Sequence, residues 1–135
     1  MITKQKIVKQ IKNDWSNKIQ SEICIAILNY LFHDKSKNIT HITYTSLRKV
    51  TGDKYANEDL LMAIQYLCGD RIKLLDAKFE LIENEQLFDI SNIELKEARE
   101  TGVLVHPETG ELIKDYEDKV FIYFQPSSLS KNFQR

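Results

Sequence analysis

Four glycines and two prolines among 135 residues leave this chain little with which to build a phosphate-cradling loop, and no Walker loop, Gly-x-Gly-x-x-Gly or Gly-x-Ser-x-Gly is present. The two cysteines, Cys24 and Cys68, lack a Cys-x-x-Cys neighbour, and His33, His41 and His106 are scattered. A zinc site would need assembly without any local ligand pair, so neither a metal nor a cofactor is expected. Both cysteines fall on apolar helical positions, where a reduced thiol behaves as a small hydrophobe. No apolar run approaches the ~20 residues that span a bilayer, and the N-terminus lacks a signal-peptide core. A cytoplasmic protein without a membrane partner is expected. Asn38-Ile39-Thr40 matches a glycosylation acceptor that such a protein does not present to the glycosylating enzyme. The carboxylates of Glu94–Glu100 read as a solvated helix face, with nothing apolar around them to tune an acid/base pair. No catalytic residue is assigned, and a non-enzymatic protein is expected.

What the chain does have is apolar residues, 42% of the total, enough for one core and one domain. Its formal charge of −1 conceals an asymmetry. Residues 1–56 hold ten Lys/Arg against four Asp/Glu, for +6, and residues 57–135 hold nine against sixteen, for −7. A basic half suits phosphate, an acidic protein or the opposite half of a second copy.

The periodicities predict a mainly α chain with a small β component, an α+β fold. Thr3 caps a basic amphipathic helix reaching about Asp14, with Ile7, Val8, Ile11 and Trp15 on one side and Lys6, Lys9 and Lys12 on the other. This stretch (1–14) suits either an arm that pairs two protomers into a homodimer or an extra helix packed on its own domain. Ser16–His33 carries Ile19, Ile23, Cys24, Ile27, Leu28 and Leu31 at helical spacing, and the two helices could run together.

In Thr45–Gly52, Leu47 and Val50 share one side of a two-turn helix, Arg48 and Lys49 turn to solvent, and Gly52 stops it. Asn57 is placed to cap the next helix, with Glu58 and Asp59 in its first turn, and Leu60, Leu61, Ile64, Leu67 and Cys68 form one broad buried face. Ile72–Leu75 and Phe79–Ile82 then read as strands joined by a turn at Asp76-Ala77-Lys78. Farther on, Ser91-Asn92-Ile93-Glu94 is a capping box for a helix closed by Gly102. After it come an extended Val103–His106, a turn at His106-Pro107-Glu108-Thr109-Gly110, and a β-rich Lys119–Gln125 with two apolar faces, suited to the fold interior or to an interface.

The order of short helix, Gly-containing turn, longer helix and hairpin through Tyr44–Glu83 resembles a winged helix-turn-helix. The resemblance divides residues 1–126 into the N-terminal helix, a winged core over 16–83 and a helix-and-strand extension over 91–125, followed by a flexible tail over 127–135. It implies binding to double-stranded DNA, with Arg48, Lys49, Lys54 and Lys78 on phosphates and Asn57, Met62 and Gln65 near bases. Against that, the second helix has no Lys or Arg, and its outward side shows Glu58, Asp59, Met62, Gln65 and Tyr66. A protein partner held by Asp59, Met62 and Tyr66 is the alternative.

Overall fold

A computed structural model describes residues 3–33 and 41–131, without the side chains of His33 and Lys131; Asn38-Ile39-Thr40 lies outside this set. The fold is α+β, as the periodicities indicate. The chain divides into two compact units, one made of the residues before Ala77 together with those after Tyr123, the other of Ala77–Tyr123.

In the first unit, α1 (Lys4–Trp15) starts where the Thr3 hydroxyl accepts from the Lys6 N–H, and it buries Ile7 and Ile11. It does not run on into α2 (Ile19–His33), because Ser16 and Asn17 both take positive φ, 50° and 59°, and turn the chain. An Asn tolerates that conformation better than most residues. The side chains of Ile23, Cys24, Ile27 and Leu28 in α2 are fully buried, and this helix packs against α1, α3 (Tyr44–Thr51) and α4 (Asn57–Cys68). The N-terminal helix is thus packed on its own unit through Ile7 and Ile11.

A reciprocal box opens α3, with the Thr43 hydroxyl accepting from the Ser46 N–H at 3.1 Å and the Ser46 hydroxyl from the Thr43 N–H at 3.3 Å. Gly52, at φ +88°, ends it. The residue capping α4 is Ala56, which makes no side-chain cap bond; Asn57 is already helical and its amide oxygen is used elsewhere. Leu60, Ala63, Ile64 and Leu67 make the buried stripe of α4. Leu61, expected within it, is 47% exposed. One residue beyond Leu60 is about 100° around the axis, so Leu61 falls with Glu58, Met62 and Gln65.

The hairpin differs from the expected one. Asp76-Ala77-Lys78 lies inside a continuous strand β1 (Leu75–Glu83), which pairs antiparallel with β2 (Gln86–Ile90), Phe79 opposite Ile90 and Glu83 opposite Gln86. The turn is Asn84-Glu85, with φ of 53° and 66°. A two-residue turn of this type I′ form requires positive φ at both positions, which an Asn accepts readily and an Ala-Lys pair does not. The β-rich segment forms β5 (Val120–Pro126) beside β1, where the Ile82 N–H donates to the Lys119 carbonyl at 2.8 Å. It is open at Phe121 and Ile122 and closed at Tyr123 and Phe124.

Within Ala77–Tyr123, helix α5 (Asn92–Thr101) has the expected Ser91/Glu94 capping box and a left-handed Gly102. Val103–His106 turns back through Pro107–Gly110 to place β3 (Leu104–Val105) against β4 (Leu112–Ile113). The core of this unit is Leu81, Ile90, Leu95, Ala98, Leu104, Ile113 and Tyr116.

The tail expected from residue 127 is held over its described part. Ser127 and Ser130 are buried, and their hydroxyls donate to the carbonyls of Lys73 and Leu74. A short helix α6 (Ser128–Lys131) follows, and the hydrogen bonds that pin it leave no apolar signature in the sequence. No helix among the described residues is long and apolar enough to cross a membrane.

Candidate partner-binding surface

Two polar brackets decide which side chains of the helical unit are available to a partner. The first is centred on Arg48, expected in solvent. It is half-buried, and its guanidinium donates to the carbonyls of Gly52 (3.3 Å) and Tyr55 (2.7 Å), to the Tyr44 hydroxyl (3.1 Å) and to the Asn57 amide oxygen. Tyr44 also donates to that oxygen at 2.9 Å. Five N–H donors in a planar fork suit this task of spanning the turn between α3 and α4, and the same bonds occupy two of the residues expected on DNA, Arg48 and Asn57.

The second bracket ties α1 to the end of α4. Asp14 accepts from the Tyr66 hydroxyl and in a fork from Arg71, with Nη2 at 2.6 Å and Nε at 3.3 Å. The Trp15 ring meets Tyr66 edge-on with centroids 5.3 Å apart. The Arg71 hydrogen bond, followed by that of Tyr66, holds the Asp14 carboxyl below its usual range; burial, then Asp14, pushes the Tyr66 phenol up. Tyr66, expected on the outward side of α4, is therefore half-buried and engaged with α1. Asp59 is partly covered too, accepting from the buried Gln20 amide at 2.9 Å.

What remains open on α4 is Glu58, Leu61, Met62 and Gln65. Leu61 and Met62 are 47% and 46% exposed, so two large apolar side chains stand side by side between a carboxylate and an amide, with no cation on the helix. Lys49 and Lys54 are exposed, the latter with its ammonium 5.0 Å above the Tyr55 ring. Lys78 is exposed in mid-β1 and belongs to the other unit. The hairpin tip carries Glu83 and Glu85 instead of the lysine expected there. Lys6, Lys9 and Lys12 form an exposed row on α1, without an ion pair among the described residues.

Both cysteines are free thiols, and burial pushes Cys24 up to about 12 and Cys68 up to about 11, leaving little thiolate to react at neutral pH. Among the described residues no three His, Cys, Asp or Glu side chains converge as metal ligands. Comparison with protein-family models, curated proteins and solved structures found no match to this chain. Leu61 is the surface residue that periodicity missed. Its signal was available, since a stripe through Leu60, Ile64 and Leu67 excludes a residue one step away.

Proposed function

We propose that this chain is a non-enzymatic protein-interaction module of the winged helix-turn-helix type, which docks a partner protein through the open side of α4. The fold part rests on the order of α3, the Gly52 turn, α4 and the β1–β2 hairpin. The functional part rests above all on Leu61 and Met62, half-exposed on the second helix of the turn motif. Burying two such side chains in a partner is favourable, and Met adapts to irregular surfaces. Phosphate contact draws no comparable support from α4 or from the hairpin tip, where carboxylates stand and cations are absent.

A second reading, duplex DNA held through its backbone, draws on the Lys6, Lys9 and Lys12 row and on Lys49 and Lys54. Replacing Leu61 and Met62 together by Lys separates the two. Protein association falls, whereas affinity for duplex in an electrophoretic salt series holds or rises through added phosphate attraction. A variant that folds normally, keeps its protein partner and gains DNA affinity would favour the second reading.

A further inference from the structure

The two units carry opposite charge. The helical unit has fourteen Lys/Arg against eight Asp/Glu, for +6, whereas Ala77–Tyr123 has five against twelve, for −7. In each unit one helix carries a row of that sign. On α1 the cations recur at every third residue, Lys6, Lys9 and Lys12, all exposed and outside the buried stripe of Ile7 and Ile11. On α5 the anions recur at the same interval, Glu94, Glu97 and Glu100, outside the buried stripe of Leu95 and Ala98. Glu97 and Glu100 are exposed, while Glu94 is half-buried and accepts from the Ser91 N–H at 3.3 Å. Residues three apart stand about 4.5 Å apart along a helix, so the two rows match charge for charge. Lys96 and Arg99 are the cations of α5; the one carboxylate of α1, Asp14, is held by Tyr66 and Arg71. Both rows border apolar surface. An open groove of about 580 Å³ follows α1 past Lys4, Gln5, Val8, Lys9 and Lys12. Ile93, next to the glutamate row, is 71% exposed, more than any other large apolar side chain among the described residues.

We propose that α1 of one copy docks on α5 of a second copy, the lysine row along the glutamate row and Ile93 in the groove beside Val8. Charge complementarity selects the occupant. The α1 surface calls for a ligand that brings carboxylates at helical spacing together with an open apolar side chain, and α5 of this chain has both. A nucleic-acid backbone brings the charge without the apolar group. An exposed ion pair contributes little, so a row of them with one apolar side chain gives a weak association that salt screens. The two surfaces differ, so the contact is head to tail and a change on one can be compensated on the other. The inference concerns α1 and the second unit and stands apart from the reading of α4.

The test is sedimentation equilibrium of the full-length chain at low and high salt. Self-association is expected with a dissociation constant on the order of 0.1 mM at ~0.05 M salt, weakened at least roughly fivefold at ~0.5 M. Lys9→Glu/Lys12→Glu and Glu97→Lys/Glu100→Lys, all at exposed positions that folding tolerates, should each weaken it roughly tenfold. An equimolar mixture of the two should return to within roughly threefold of the parent, because each reversed row then meets its opposite. Ile93→Ser should weaken association roughly threefold. Lys49→Glu/Lys54→Glu changes the net charge by the same amount elsewhere on the helical unit and should leave association unchanged, as should Leu61→Lys/Met62→Lys on α4. A chain that stays monomeric at millimolar concentration and low salt would overturn the proposal, and so would a mixture no better associated than its two components. Equal loss in the Lys49/Lys54 variant would overturn the assignment to the α1 row, and loss in the Leu61/Met62 variant would overturn it in favour of α4.

Discussion

Helices α1 and α4 are each twelve residues long and each buries one stripe against α2, yet they offer solvent opposite chemistry. The open side of α1 is a row of lysines; that of α4 holds Leu61 and Met62 beside Glu58. Positive charge and open apolar surface thus lie on different helices of one unit. On α4, two open apolar side chains without a cation have the chemistry of a protein contact, as the proposed function requires.

The sharpest way to break this comparison is to test the division between buried and open sides on α4. Leu60→Ala removes a fully buried side chain and should cost about 2–5 kcal/mol of stability, while Leu61→Ala should cost less than about 0.5 kcal/mol. Urea unfolding of the two variants measures both. Equal losses would place Leu61 in the core and remove the proposed surface.

The α3–α4 turn gives the next largest effect. Arg48→Ala leaves the carbonyls of Gly52 and Tyr55 without their charged donor and should destabilise by about 1–3 kcal/mol. Lys49→Ala, with its side chain in solvent, should leave stability within about 0.5 kcal/mol of the parent. If instead Arg48→Ala weakened duplex binding and left stability intact, the guanidinium would be a phosphate contact after all.

The α1–α4 bracket adds a pH dependence. Asp14 has a folded pKa below its ordinary 3.8, so its contribution is complete above that ordinary value and is lost as pH falls through the lowered one. Asp14→Asn should remove this acid-side dependence and cost about 1 kcal/mol at neutral pH, the exposure of Arg71 keeping the figure small. Stability curves of parent and variant between neutral and acid pH should converge at the acid end. Parallel curves would show that Asp14 does not carry the linkage.

The parts of this fold legible in sequence are those governed by local chemistry. Thr3, the Ser91/Glu94 box and Gly102 act within a turn of the residues they cap, so α1 and α5 could be read off directly. The misplaced elements depend on partners distant in sequence. Asp76-Ala77-Lys78 resembles a turn until β5 lies beside β1, and only the pairing of Phe79 with Ile90 reveals Asn84-Glu85 as the hairpin turn. Ser127 and Ser130 look like tail residues because the carbonyls they satisfy are those of Lys73 and Leu74. The candidate surface was half legible. Met62 followed from the helical wheel, whereas the loss of Arg48, Asn57 and Tyr66 to internal brackets depends on Tyr44, Tyr55 and Asp14, contacts that no spacing rule encodes.

The most direct measurement of the central claim captures a partner protein on the immobilised full chain and then determines, with both purified, the affinity of the chain for it. It is made in parallel for Leu61→Lys/Met62→Lys and for Lys6→Ala/Lys9→Ala/Lys12→Ala. The first variant should lose about 2 kcal/mol or more of association, roughly thirtyfold, with its unfolding curve unchanged. The second should stay within roughly twofold of the parent, since surface charges removed from another face contribute little to a docked apolar contact. Full affinity in the first variant together with loss in the second would contradict the account and assign binding to the lysine row of α1.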